Sequence, residues 1–80
     1  MNLVELTEFL VKSVSKNPDM VSVKQFENDG NNIIQILVDK DDIGSMIGKN
    51  GIIISSIRNI VNLAAYNKQE DSVKIYIDSF

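Results

Sequence analysis

Ile33-Ile34-Gln35-Ile36-Leu37-Val38 is apolar at every position but one, and a run of that kind fits a central rather than an edge strand. A central strand needs neighbours. One stands immediately upstream, where Val21, Val23 and Phe26 are interleaved with Ser22, Lys24 and Gln25. Between the two runs, Asn28-Asp29-Gly30-Asn31 has the chemistry of a hairpin turn, since Asp-Gly readily takes the positive φ angles that a two-residue connection demands. Near the end of the chain Val73, Ile75 and Ile77 alternate with Lys74, Tyr76 and Asp78 and supply the third strand.

The remaining segments carry helical spacing. Asn2 can cap a helix with Glu5 three residues on, after which Leu3, Leu6, Phe9, Leu10 and Val14 recur with the helical period until Pro18 closes the element. Asp39 is placed to cap a second helix. Asp41 and Asp42 lie in its first turn, where carboxylates suit the helix dipole, and Ile43, Met46 and Ile47 form its buried side. Gly48 is expected to end it as the left-handed residue past the C-terminus. Ile54, Ile57, Val61 and Ala64 or Ala65 then define the inward stripe of a third helix running to about Tyr66. The expectation is one α+β domain over residues 1–80, in the order α-β-β-α-α-β, with a three-stranded sheet covered on one face by three helices.

Composition removes several classes of function. A chain of 80 residues supports one small core and no deep, walled active site. It contains no cysteine and no histidine, so disulfides, thiolate metal sites and the commonest general base are absent. Carboxylate pairs such as Asp41 and Asp42 point in different directions on a helix and are explained by their place at its start. An enzyme, a metal site, a cofactor and a small-molecule substrate are therefore not expected. No stretch approaches the length of a membrane span, and Glu5 and Glu8 break any leader-like pattern, so a cytoplasmic location is expected.

The net charge is −3, but it is unevenly distributed. From Ile43 to Lys68 the only charges are Lys49, Arg58 and Lys68, while the rest of the chain holds five basic and eleven acidic residues, a balance of −6. A face built from the middle segment is where an anion would be welcome. That segment contains Ile47-Gly48-Lys49-Asn50-Gly51, two glycines set between two apolar helical patterns, where bare backbone amides at a helix N-terminus could meet a phosphate. The alternative is architectural: Gly48 as a helix end and Gly51 as a tight corner.

Asn17-Pro18-Asp19, the alternating valines, Asp42-Ile43-Gly44-Ser45-Met46-Ile47-Gly48-Lys49-Asn50-Gly51 and then Ile57-Arg58 together resemble the small bacterial KH-domain RNA-binding proteins of the KhpA type, over essentially the whole chain. The resemblance implies a type II KH fold and a G-x-x-G loop, Gly48 to Gly51, that clamps single-stranded RNA by its backbone. It implies a binding groove lined by Ile36, Ile47 and Ile54. It also implies self-pairing or pairing with a larger KH-containing partner, and an RNA chaperone role in cell shape and the cell envelope.

Individual residues divide between readings. Lys49 serves equally as a phosphate partner and as a solvated loop lysine, and Asn50 is a routine turn residue. Arg58 lies two helical turns past Gly51 and is either a nucleic-acid contact or a surface charge. Ile52-Ile53-Ile54 cannot all face one core. Ile54 takes the inward position, while Ile52 stands where the family usually has Arg, which exchanges a cation for apolar surface beside the loop. Ile53 and Ile60, with Tyr66 near the same helix end, are either the rim of a broad core face or a two-fold dimer patch. Tyr76 and Phe80 could stack on bases, though strands favour aromatics for packing alone. The leading function is a noncatalytic RNA-binding module. Its rival is a protein-interaction subunit in which the glycine turn is only structural.

Overall fold

The computed structural model describes residues 1–80. The central strand forms as Asn31–Val38 (β2) and lies between the other two in the order β1-β2-β3. Strand β1, Ser22–Asn28, pairs antiparallel with it, Asn28 opposite Asn31, and Asp29 and Gly30 at φ 53° and 79° make the two-residue hairpin read from the sequence. Strand β3, Val73–Ser79, pairs parallel with β2 on the other side.

The first helix, α1, spans Leu3–Val14 and begins with the expected capping box: the Glu5 N–H donates to Asn2 Oδ1 at 2.8 Å, and the Asn2 N–H donates to Glu5 Oε1 at 3.4 Å. Its buried stripe is Leu3, Thr7 and Val11, flanked by Leu6 and Leu10. Phe9 and Val14, assigned inward from their spacing, are exposed. Thr7 completes the stripe between Leu3 and Val11 because its hydroxyl donates to the Leu3 carbonyl at 2.7 Å and enters the core without an unpaired polar atom. A short 3₁₀ turn, Pro18–Met20, follows before β1.

Residues Lys40–Asn67 form one helical segment, α2, where two helices and a turn were expected. Inside it Gly48, Lys49, Asn50 and Gly51 have non-helical dihedrals. Three of the four lie close to the mirror image of helical values, so the break is a tight left-handed turn and no extended linker separates the first arm, residues 40–47, from the second, residues 52–67. The second arm ends in a Schellman motif. The Glu70 N–H bonds the Ala65 carbonyl and the Gln69 N–H bonds that of Tyr66, both at 2.9 Å, with Gln69 at φ 59° where glycine is usual.

The core is a single layer between helices and sheet. Ile34, Ile36 and Val38 of β2 and Val73 and Ile75 of β3 meet Leu3 and Val11 of α1 and Met46, Ile54, Ile57, Val61 and Ala65 of α2. The inward stripe read for the second arm is therefore the observed one. Ile47 is not on the buried side of the first arm as expected; it is 52% exposed, and Met46 fills that place with Ile43 half-buried beside it. The opposite face of the sheet carries no helix.

Candidate nucleic-acid interface

The glycine loop differs from its expected geometry in a way that bears on its use. Gly48 does not adopt the left-handed conformation of a helix-ending glycine. It sits at φ −70°, ψ 173°, which any residue can adopt, and a Cβ there would meet nothing within 4 Å. Positive φ falls instead on Lys49 at 50°, Asn50 at 64° and Gly51 at 68°. Asn tolerates that region and glycine is free in it, whereas lysine pays a steric cost of about 1–2 kcal/mol. Glycine is thus required at position 51 by backbone angle, while nothing inside the chain requires it at position 48.

The loop is a projecting tip. Lys49 and Asn50 are exposed, and Ile47 and Ile52 flank them at 52% and 60% exposure. Gly51 leads directly into the second arm, and the start of a helix is the positive end of its dipole. Of the three acids at the start of α2, Asp41 is exposed and the other two are engaged elsewhere. Asp39 Oδ2 accepts from Asn17 Nδ2 at 3.0 Å, which leaves its helix without a side-chain cap, and Asp42 is fully buried.

Asp42 is the polar residue that sequence reasoning valued least correctly. Its two oxygens accept the backbone N–H groups of Lys16 at 2.9 Å and Asn17 at 3.0 Å, tying the start of α2 to the chain after α1. The Lys16 N–H, with the Asn17 N–H adding to it, holds the carboxyl below the usual carboxylate range although burial opposes this. Its signal in the sequence was the Asn-Pro pair, whose upstream amides cannot enter a helix and need acceptors elsewhere.

Arg58 lies against β3. Its Nε and Nη2 donate to the Ile75 carbonyl at 3.3 and 3.2 Å, and it has no carboxylate partner. Its structural task is to hold the second arm to the sheet edge. One turn on, Asn62, which the sequence did not single out, binds both backbone groups of Val73. These contacts orient the second arm with its C-terminal end toward the hairpin, so the glycine loop lies toward the opposite end of the sheet.

Of the three isoleucines expected to line a groove, Ile36 and Ile54 are core residues, 0% and 3% exposed, and only Ile47 presents surface. The reason is their place on the inward faces of β2 and the second arm. Ile53 is half-buried on the core rim, whereas Ile60 and Tyr66 are exposed at 44% and 77%. Leu63, which was not anticipated, is 62% exposed and falls between Ile60 and Tyr66 on the arm's outer face, with Ile52 on the same side two to three turns back. The largest surface hollow lies at the hairpin end, lined by Glu27, Glu70 and Asp71 among others, and those carboxylates disfavour a phosphate there. No cluster of acidic side chains could hold a metal ion, and no helix is long and apolar enough to cross a membrane.

A three-stranded sheet covered on one face by two helices, the second broken at a G-x-x-G turn, defines a small α+β domain of the KH type. The model of the KhpA/KhpB KH-domain family matches residues 4–77, and the chain belongs to that family. It is 30% identical to the RNA-binding protein KhpA of Thermotoga maritima over 71 residues, 89% of this chain and 95% of that one. It is 35% identical to the RNA-binding protein KhpA of Caldanaerobacter subterraneus over 66 residues, 82% of this chain and 88% of that one. Among solved structures the fold resembles Aquifex aeolicus Era with a TM-score of 0.73 at 18% identity, covering 98% of this chain and 30% of that one. The family is one of noncatalytic KH domains, and this chain is not an enzyme.

Proposed function

We propose that the chain is a noncatalytic single-stranded RNA-binding module in which the two arms of α2 serve as separate helices of the type II KH arrangement and the Gly48 to Gly51 loop holds backbone phosphates. The observation that carries this is Gly48, a glycine with an ordinary φ of −70° and open space where its side chain would be. The fold has no use for a bare backbone there, whereas a phosphate approaching the loop does. Lys49 at the tip adds a cation, and the relatives named RNA-binding protein support the choice of ligand. With one lysine in the loop, Ile52 where an arginine is usual and Arg58 committed to β3, the grip of one copy is weak.

A second reading concerns the rest of the second arm. Ile60, Leu63 and Tyr66 form an exposed apolar face opposite the core stripe, which supports pairing with a second copy or with a larger KH-containing protein. Pairing links two weak clamps and raises the affinity for one RNA without new contacts. In this reading the molecule acts in the cytoplasm as an RNA chaperone, with effects on cell shape and envelope growth.

Crosslinking in living cells tests the whole proposal. Wild-type protein should carry RNA crosslinked near Lys49 after irradiation, and Gly48→Asp should lose those crosslinks while remaining folded. Equal crosslinking near Lys49 in the two proteins would leave the loop as architecture and favour the protein-interaction reading.

A further inference from the structure

The outer face of the sheet is a surface that the glycine-loop reading leaves unused. The strand register fixes what it displays. Phe26, Ile33 and Lys74 form one row across the three strands, and Lys24, Gln35 and Tyr76 form the next. Phe26 and Tyr76 are 46% and 54% exposed, so both rings are open to solvent although neither is needed for the core. Ile33 is 8% exposed without belonging to the core cluster, which means that the side chains of its own row cover it. Each aromatic has a lysine two residues away on the same strand and the same face, Lys24 beside Phe26 and Lys74 beside Tyr76. The two rows carry two positive charges and no negative one in a protein of net charge −3. The only acid on the face is Asp78, in the third row with Ser22 and Leu37.

From this arrangement we propose that the outer sheet face is a second single-stranded RNA surface, separate from the glycine loop, on which bases stack against Tyr76 and Phe26 while Lys24 and Lys74 meet the phosphates. Every base has a flat face, so stacking on an open aromatic is tolerant of sequence, and a lysine beside each ring supplies the charge the backbone needs. Two strand spacings and a two-residue offset put the rings roughly 12 Å apart, so the bases they hold are not adjacent in the chain. Asp78 bounds the surface on one side. On the other, Phe26 borders the hollow containing Glu27, Glu70 and Asp71, which repels phosphate and keeps the strand on the Lys24 side. A protein partner lacking carboxylates opposite Lys24 and Lys74 is disfavoured, because both charges would be desolvated unpaired. The proposal shares with the loop reading only the class of ligand.

The test is ultraviolet crosslinking of the full chain to a 12-nucleotide single-stranded RNA of mixed sequence, with crosslinked residues located by peptide mass spectrometry. Wild type and Gly48→Asp should both crosslink at Tyr76 or Phe26. Lys24→Glu with Lys74→Glu should abolish those crosslinks in both backgrounds and leave crosslinks near Lys49 in the wild-type background. In the Gly48→Asp background, Tyr76→Leu, which keeps an apolar side chain on the strand, should weaken the remaining RNA affinity about fivefold or more. Absence of crosslinks at both aromatics in the wild type overturns the proposal. So does an unchanged affinity in Tyr76→Leu, and so does a change of oligomer mass in the lysine variant without any crosslink. Loss of crosslinks near Lys49 alone would count against the loop reading and not against this one.

Discussion

Asn62 of the second arm pairs with Val73 as another strand would: its Oδ1 accepts the Val73 N–H at 2.7 Å and its Nδ2 donates to the Val73 carbonyl at 3.2 Å. With Arg58 on the Ile75 carbonyl, helix side chains occupy the outward backbone groups at the start of β3 and blunt an edge that would otherwise invite another strand. Asn62→Leu leaves these groups unpaired and should destabilise the fold by about 1–3 kcal/mol. Amide exchange at Val73 should accelerate more than at Ile75, as measured by native-state hydrogen exchange.

Gly48 and Gly51 should respond oppositely to alanine. Gly48→Ala meets open space at a compatible backbone angle and should stabilise by about 0.4–1 kcal/mol through the unfolded chain. Gly51→Ala must hold φ near 68° and should cost about 1–2 kcal/mol. Urea unfolding of the two variants reads both signs.

Asp42 couples stability to acid. Its folded pKa lies below the ordinary 3.8, so the stability it contributes is fully present above that value and is lost as pH falls through the lowered one. Asp42→Asn should melt at lower temperature near neutral pH, since an amide presents one acceptor oxygen to two N–H donors. Its melting temperature should also fall less steeply than that of the wild type below about pH 4.

Leu63→Lys places a charge in the middle of the exposed face formed with Ile60 and Tyr66. If that face joins two copies, light scattering should show the mass of the variant falling to that of a monomer, with an unchanged circular dichroism spectrum. An unaltered dimer mass would remove the face as the interface.

The strands were legible in the sequence because alternation, an Asp-Gly turn and one continuous apolar run leave a single arrangement that hides the apolar residues. The second arm was legible for the same reason, its inward residues recurring without exception from Ile54 to Ala65. The first helix was read less well. Leucines and valines on more than one side of it gave competing stripes, and Thr7 is a core residue only because its hydroxyl bonds to its own helix. In the site, the loop was found but its angles were misassigned: helix-end chemistry predicted left-handed Gly48, whereas the turn places Lys49 and Asn50 there. Ile36 and Ile54 were placed in a groove by the family resemblance, whereas burial puts both in the core, where the helical stripe had already set Ile54. Asn62 and Asp42 depend on partners 11 and 26 residues away and have no local signature.

In the RNA-binding reading, Gly48 is bare for the sake of a ligand. Fluorescence anisotropy of a labelled single-stranded RNA, titrated with wild type and with Gly48→Asp at several salt concentrations, tests it directly. Gly48→Asp should keep the wild-type melting temperature within a few degrees while losing about tenfold or more in affinity, through charge repulsion and a blocked approach. Equal affinity in a folded Gly48→Asp protein would contradict that reading.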